Sequence, residues 1–265
     1  MRRPSLPRLL PIFLCILVAL ILFTRVQAAT LDQPILDDLF TAQEWQARGN
    51  LEAARLSLEK ALKDQPGNVF VSIRLAQVDA LSGDLDRSLA RLTSVLAQEP
   101  ENLLALRWKG HVLLAQGQAA QAYAAYSQIL KLDPGNGWAW LGVAASLLDQ
   151  TAPNADRDAA AALEKAQAHA GEDADLRLAL GDAFARLHLL VNARFELERA
   201  LDLNPRDTHA LVLAGEVYLR LGLRDLALES WRQALVLDPA MGRAKANLLL
   251  IERQGALPPG PPPKG

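Results

Sequence analysis

Residues 208–241 carry two apolar helical stripes separated by a glycine, and this segment constrains the fold most strongly. The first stripe includes Tyr218, Gly222 interrupts it, and the second stripe includes Trp231 and stops at Pro239. The pattern predicts a helix, a tight turn and a second helix. Because one such hairpin cannot bury its apolar faces alone, we expect similar hairpins on either side. Small residues that would let the two backbones approach occur in both stripes: Ala214, Gly215, Ala227 and Ala234.

The same organisation recurs along the chain with a period of about 34 residues. Prolines follow the helical segments in the same manner at Pro66, Pro100, Pro134, Pro205 and Pro239. Neighbouring prolines stand one period apart, except that the interval from Pro134 to Pro205 is slightly longer than two periods. A unit that stops at Gly171 divides this longer interval. Six segments share a small-large-small pattern: Ala54/Leu58/Ala61, Ser88/Leu92/Val95, Ala122/Tyr126/Ile129, Ala159/Leu163/Ala166, Ala193/Leu197/Ala200 and Ala227/Trp231/Ala234.

The period and the small-large-small pattern resemble the tetratricopeptide repeat family over residues 35–241, in its bacterial exported or envelope type. The resemblance implies an all-α fold: a right-handed α-solenoid of about six helix-turn-helix hairpins and a C-terminal capping helix. Two positions depart from the pattern. Asp79 occupies the position that Trp45 has one period earlier, and His188 replaces a turn glycine. The predicted repeats are 35–68, 69–102, 103–136, 137–173, 174–207 and 208–241.

Residues 1–28 have the composition of a secretory signal peptide. Three arginines precede an apolar run of 16 residues, 9–24, and small residues follow up to Ala28. The run is short for a membrane span, which needs about 20 residues. We therefore expect cleavage before Ala29, an exported periplasmic chain, and a short lead-in at 29–34. The alternative is an uncleaved signal anchor that holds the repeats in the periplasm at the inner membrane.

The charge and cysteine content narrow the class of partner. The formal net charge is −2, and loss of residues 1–28, which contain four arginines and no acid, would make it −6. A chain of this charge lacks the basic surface that nucleic-acid binding needs. Cys15 is the single cysteine, so no disulfide framework is predicted. We expect no nucleic-acid partner, and membrane contact only through residues 1–28 if they remain uncleaved.

The C-terminal part of the chain is predicted to close the array. Residues 242–254 read as a capping helix that covers the last apolar face. Within it, the consecutive residues Leu248, Leu249, Leu250 and Ile251 cannot all face the core, so at least one should be exposed. Self-association through Leu248–Ile251 is the alternative interpretation. Residues 255–265 are proline-rich and are predicted to be an extended or disordered tail.

The sequence contains no recognisable motif for catalysis or for binding a metal or nucleotide. There is no phosphate-binding loop that ends in Gly-Lys-Ser/Thr and no His-Glu-x-x-His pair. None of the four histidines, His111, His169, His188 and His209, is paired with another metal ligand at helical spacing. We therefore predict no enzyme, no catalytic residue, no metal site and no cofactor. An alternative is a glycan-handling or enzyme-associated module, in which Asp182 and Glu216 would act as paired carboxylates.

The resemblance also implies a concave groove lined by the first helix of each repeat. Residues carried over to that face follow helical spacing on successive repeats. The candidate groove residues are Gln43, Phe70, Gln77, Arg107, His111, Trp138, Asp182 and Glu216. One family subgroup clamps a carboxylate with Lys and Asn, but Arg107 and His111 stand at the matching positions of the third repeat, so that clamp is absent.

The predicted function is a protein–protein interaction scaffold in the cell envelope. It would hold a partner peptide or protein in the groove. The resemblance suggests support for assembly of a pilus, secretion, polysaccharide-export or cytochrome-maturation system. Arg107, His111 and Trp138 are the residues expected to meet an acidic or C-terminal carboxylate group of the partner.

Overall fold

A computed structural model describes residues 33–149 and 153–255, and this part of the chain is helical apart from short turns. The predicted leader, most of the lead-in and the tail beyond Gly255 lie outside the described residues. The described chain forms an all-α helical-repeat solenoid, which confirms the predicted class. Its helices are α1 Gln33–Ala47, α2 Leu51–Asp64, α3 Val69–Leu81, α4 Leu85–Gln98, α5 Leu103–Ala115, α6 Ala119–Leu132, α7 Gly137–Leu148, α8 Ala155–Ala168, α9 Ala174–Arg186, α10 Leu190–Leu203, α11 Thr208–Arg220, α12 Arg224–Leu237 and α13 Gly242–Gly255.

The helices group into two compact units, an N-terminal unit that ends at Arg91 and a C-terminal unit that begins at Leu92. The core of the N-terminal unit is made by α1, α2 and α3. Ile35, Leu58 and Leu75 are buried at its centre, with Leu39 and Trp45 packed against them. In the C-terminal unit each helix packs on the next one along the chain, from α5 through α13.

The first helix of five hairpins begins with a short side chain that caps it. The side-chain oxygen of each cap accepts a hydrogen bond from the backbone N–H three residues later. Such bonds satisfy donors that the first turn of a helix leaves free. The caps recur once per repeat, and the longest interval between two caps falls in the fourth repeat. The five capping residues are Asn68, Asn102, Asn136, Asp173 and Asp207. The repeat period is therefore visible in local hydrogen bonding as well as in packing.

A buried carboxylate occupies the position in the second repeat that departs from the pattern. The Asp79 side chain is 0% exposed. Its oxygens lie 2.7 Å from Nε of Arg91, 3.3 Å from Nε of Arg55 and 3.8 Å from a terminal nitrogen of Arg87. A buried charge needs such partners because it has lost its water. Ion pairing therefore replaces at this position the aromatic packing of Trp45.

Two large aromatic side chains of the C-terminal unit pack directly against glycines. The Tyr126 ring of α6 lies against Gly110 of α5 and Gly142 of α7, where a Cβ atom would fall well inside contact distance of the ring. The buried Trp231 indole lies against Gly215 in the same way, and its Nε1 donates to the Val212 carbonyl oxygen at 3.0 Å. The predicted close approach of small and large residues is confirmed here.

The turns inside the hairpins need a left-handed residue, and the fifth and sixth repeats supply it in different ways. Gly222 supplies it with φ of 79°, which glycine adopts at no steric cost. His188 takes the equivalent place with φ of 59°. Arg220 supports this turn, because its guanidinium donates to the Ala185 carbonyl oxygen at 2.9 Å and lies 2.9 Å from Nδ1 of His188.

Helix α13 covers the last hairpin as predicted. Leu248 and Ile251 are buried, whereas Leu249 and Leu250 are 46% and 55% exposed. The expectation that at least one of these four residues faces away from the core is confirmed. Self-association through the exposed pair stays a prediction.

Candidate functional site

The C-terminal unit places an arginine on the face of a tryptophan. The Arg107 guanidinium of α5 lies 5.1 Å from the centre of the Trp138 ring at the start of α7, a cation–π geometry. The indole Nε1 of Trp138 donates to Oδ2 of Asp173 at 2.8 Å. Asp173 is itself held because its Oδ1 caps α9. Three helices thus fix the orientation of the Trp138 ring under Arg107.

The Arg107 guanidinium is half-buried and has no hydrogen-bond acceptor or carboxylate within bonding distance among residues 33–149 and 153–255. Burial lowers the pKa of Arg107, and the more distant charge of Asp173 only partly opposes this. A guanidinium carries five N–H donors in a planar fork. These donors are therefore positioned by stacking and available to an acceptor supplied from outside.

His111 and Tyr126 continue the site one turn further along α5. The His111 ring lies 5.5 Å from the Trp108 ring and meets the Tyr126 ring edge-on at 6.0 Å. His111 is exposed towards the open side, and the rings of Trp108 and Tyr126 crowd the rest of its imidazole. This partial burial, with the nearby charge of Arg107, lowers the pKa of His111 to about 4. The imidazole is therefore neutral at pH 7.

The Tyr126 hydroxyl is a buried polar group without a partner in the described structure. The whole residue is 0% exposed. Burial raises the pKa of Tyr126 well above its ordinary value, and the charge of Arg107 only partly opposes this. Buried hydroxyls are almost always hydrogen-bonded, so an orphan hydroxyl at this position is unusual.

The lowered pKa of His111 makes a testable prediction about stability. The folded chain favours neutral His111, whereas the unfolded chain protonates it near its ordinary value of 6.5. The stabilising contribution is complete above pH 6.5 and is lost as the pH falls towards about 4. We expect the thermal midpoint of the native chain to fall more steeply over that window than that of His111→Gln, measured by circular dichroism. Parallel curves would contradict this prediction.

An open cavity of about 950 Å³ starts at His111 and runs between α5, α7, α8 and α9. Its walls are largely apolar and include Leu114, Leu141 and Leu148. Its rim carries both acidic and basic side chains. A cavity of this size and lining accommodates the side chains of a peptide segment or a small ligand.

Two predicted groove acids of the C-terminal unit are already paired. Asp182 lies on the cavity rim and forms an ion pair with Arg186 at 2.8 Å. Glu216 binds Arg243 and accepts a hydrogen bond from Asn247 at 3.1 Å, both from α13. Glycosidase chemistry requires two carboxylates that flank one bond. These pairings give the glycan-handling alternative no support.

The three predicted groove residues of the N-terminal unit differ in exposure. Gln43 is exposed and Phe70 is 46% exposed, so both are available to a partner. Gln77 is 8% exposed, and its side-chain oxygen accepts a hydrogen bond from Arg74 at 3.1 Å. The prediction that Gln77 contacts a partner directly is therefore not supported, because Arg74 covers it.

Sequence reasoning missed three residues of these sites: Arg74, Asp173 and the hydroxyl of Tyr126. The small-large-small pattern assigns Tyr126 to packing, which is correct for its ring. Asp173 precedes a helix and has the signature of a cap, but a cap position does not reveal a second bond to Trp138. The signal that could have found Arg74 is its place one turn after Phe70 on the same helical face.

Sequence profiles identify the family to which this arrangement belongs. A profile of the tetratricopeptide repeat-like domain matches residues 32–137, and a profile of the tetratricopeptide repeat matches residues 192–242. The two matches together span more than half of the chain. The chain belongs to the tetratricopeptide repeat family. Its bacterial exported type stays a prediction.

Relatives of this tetratricopeptide repeat protein are distant. DnaJ homolog subfamily C member 3 of Mus musculus is 26% identical over 224 residues, which cover 80% of this chain and 44% of that protein. The chain thus spans less than half of that relative. An uncharacterised protein of Sinorhizobium fredii, y4yS, is 34% identical over 85 residues, which cover 32% of this chain and 47% of that protein.

Solved structures share the tetratricopeptide repeat fold at low sequence identity. A thermophilic TPR protein of Thermus thermophilus is 20% identical, with a TM-score of 0.59 over 70% of this chain and 99% of its own. The structure of pilF from Pseudomonas aeruginosa is 19% identical, with a TM-score of 0.54 over 84% of this chain and 100% of its own. At these identities the likeness shows the fold alone.

Within residues 33–149 and 153–255, no group of three or more His, Cys, Asp or Glu side chains is placed to hold a metal ion. None of the described helices combines the length and hydropathy that crossing a membrane requires. Tetratricopeptide repeat proteins are generally non-catalytic scaffolds.

Proposed function

We propose that this chain is a non-enzymatic protein-interaction scaffold whose C-terminal unit binds an acidic or C-terminal carboxylate group of a protein partner. Arg107 would bind the carboxylate, Trp138 would hold the guanidinium in place, and neutral His111 would lie beside the bound group. The family supports a scaffold role, and the chemistry of these side chains supports the choice of partner.

One observation carries this proposal: Arg107 is half-buried and stacked, yet it has no acceptor among the described residues. Most partly buried guanidinium groups are paired, because burial removes their water. A carboxylate matches the fork of N–H donors in a bidentate manner, which gives strong and directional binding.

The adjacent cavity supplies the apolar part of the proposed contact. It begins at His111, so a segment that places its carboxylate on Arg107 can continue into the cavity and bury neighbouring side chains. Burial of apolar surface would provide most of the affinity, and Arg107 would provide the specificity.

The proposal includes an exported location, which the composition of residues 1–28 supports. In the cell envelope the scaffold would serve assembly of a pilus, secretion, polysaccharide-export or cytochrome-maturation system. The pilF protein of Pseudomonas aeruginosa shares the fold, but at 19% identity that likeness does not choose among these systems.

The test is capture of the partner by the double variant Arg107→Ala/Trp138→Ala. We expect the apparent affinity for the partner captured from envelope extracts to fall at least about tenfold, or about 1.4 kcal/mol. The matched control is Lys165→Ala/Trp140→Ala, because Lys165 lies 4.2 Å from the Trp140 ring in the same unit. That control removes an equivalent cation–aromatic pair and should leave capture unchanged.

Both variants must keep the native melting temperature and helical content for the comparison to count. Equal capture by a folded Arg107→Ala/Trp138→Ala variant would exclude this patch as the binding site. N-terminal sequencing of the chain from its host checks the location, and a chain that begins at Ala29 is expected. A cytosolic chain that retains Met1 would contradict export.

A further inference from the structure

Arg74 of the N-terminal unit is a second cation without a counter-ion among the described residues. Its guanidinium donates to Oε1 of Gln77 at 3.1 Å and to Oε1 of Gln46 at 2.9 Å. Gln77 lies one turn further along α3, and Gln46 lies on α1. Two neutral amides from two helices therefore set the orientation of this guanidinium.

The positive charge of Arg74 is not neutralised by these contacts. No Asp or Glu oxygen of the described chain lies within 4.0 Å of it. Amide oxygens satisfy two of its five N–H donors and supply no negative charge. Burial lowers the pKa of Arg74, as expected for a cation that has lost water without gaining an anion. An incoming anion would recover the electrostatic free energy that this burial costs.

The surroundings of Arg74 favour one class of anion. Gln46 uses its oxygen to accept from Arg74 and is only partly buried, so its amide N–H group remains as a further donor on the same surface. Phe70 lies one turn before Arg74 on the same face of α3 and is 46% exposed. A guanidinium and an amide donor with an aromatic side chain one turn away on the same helical face suit a peptide that carries a carboxylate next to apolar atoms.

The alternatives to a functional site are a solvated arginine or an arginine that serves only to hold α1 against α3. A solvated arginine would not be half-buried with two hydrogen bonds to side-chain amides. A purely structural arginine would gain more from a carboxylate at position 46 or 77 than from a glutamine, because charge-assisted bonds are about twice as strong. Glutamine at both positions leaves the charge available.

We infer that Arg74, oriented by Gln46 and Gln77 and flanked by Phe70, binds a glutamate or aspartate side chain of an acidic peptide segment. This site goes beyond the proposed function, because it lies in the N-terminal unit and shares no residue with the Arg107 patch. Arg74 in the N-terminal unit and Arg107 in the C-terminal unit are thus both oriented guanidinium groups that lack an anion within the described residues.

The experiment follows the Arg74 side-chain Nε–Hε signal by NMR during peptide titration. All samples carry Arg107→Ala/Trp138→Ala, so the C-terminal patch does not contribute to binding. The capture experiment described above tests that patch, so failure of the Arg74 site can be distinguished from failure of the proposed function. The probes are a twelve-residue Gly/Ser peptide with a central Leu-Glu-Leu, the same peptide with Leu-Gln-Leu, and inorganic phosphate.

We expect the Leu-Glu-Leu peptide to shift the Arg74 signal saturably, with an affinity at least about tenfold above that of the Leu-Gln-Leu peptide. In Arg74→Gln, where the side-chain amide signals of Gln46 and Gln77 replace the lost arginine signal as the readout, the affinity for the glutamate peptide should fall to that of the glutamine peptide. The matched control is Arg48→Gln, because Arg48 is exposed, lies 5.3 Å from the Trp45 ring and already pairs with Glu44 at 3.5 Å. This control should leave binding unchanged.

Three results would overturn the inference. The first is equal binding of the two peptides. The second is undiminished binding in Arg74→Gln at native melting temperature. The third is binding of inorganic phosphate as tight as that of the glutamate peptide, which would show a general oxyanion site rather than a peptide site.

Discussion

Asp79→Ala is expected to lower the free energy of unfolding by about 3–5 kcal/mol, because it removes the buried anion at the centre of an ionic cluster. The carboxylate of Asp79 is fully buried and lies 2.7 Å from Nε of Arg91 and 3.3 Å from Nε of Arg55. Without it, two partly buried guanidinium groups would lose the buried anion that they share. The loss should fall towards the lower end of that range, because Arg87 and Arg91 can still turn to water.

Chemical denaturation with guanidinium chloride measures this loss. Glu59→Ala is a suitable control, since Glu59 is an exposed acid on the same unit and should change stability by less than about 0.5 kcal/mol. Asp79→Asn keeps the size and one acceptor, so its loss should be smaller than that of Asp79→Ala. An Asp79→Ala variant as stable as Glu59→Ala would show that the arginines do not depend on this carboxylate.

Gly142→Ala should destabilise the chain by about 2–3 kcal/mol, although alanine is a better helix former than glycine. Tyr126 lies between Gly142 and Gly110, and an added methyl group on either glycine would lie well inside van der Waals contact distance of the ring atoms. The ring cannot move away from Gly142 without moving into Gly110. Overpacking around a fully enclosed side chain therefore outweighs the gain in helix propensity.

A double-mutant cycle isolates this contact. In a Tyr126→Leu background, Gly142→Ala should cost less than about 1 kcal/mol, because the smaller side chain leaves room for the methyl group. Gly242→Ala is the matched control at the start of α13, where an added Cβ meets nothing within 4 Å. An equal cost of Gly142→Ala with and without Tyr126 would show that the ring is not the obstacle.

The helical hairpins could be predicted from the sequence because two independent signals agree on them. Helical spacing of apolar residues identifies single helices, and the periodic recurrence of small and large residues pairs them. Trp231 and Gly215 show why this works, since each requires the other at close contact. Asp79 could only be recognised as a departure, because a buried charge depends on Arg55, which lies in another helix far along the chain.

The candidate sites were predicted less completely than the fold. Helical spacing placed Arg107, His111 and Trp138 on one surface, and the structure brings Arg107 and Trp138 together. The same reasoning did not foresee that Glu216 is occupied by α13, since residues of a capping helix have no equivalent in other repeats. Whether a polar side chain is free depends on contacts between helices, which periodicity does not encode.

The connection between α7 and α8 has an evolutionary consequence. The fourth repeat is three residues longer than the others, yet α7 and α8 have 12 and 14 residues, close to their counterparts elsewhere. The extra length therefore belongs to the connection rather than to either helix. Asp149 and Asp156, which flank this connection, stand on the rim of the cavity. Substitutions at these two flanking positions would change the charge at the cavity while leaving the hairpin framework intact, so ligand preference and fold stability can diverge independently within one lineage.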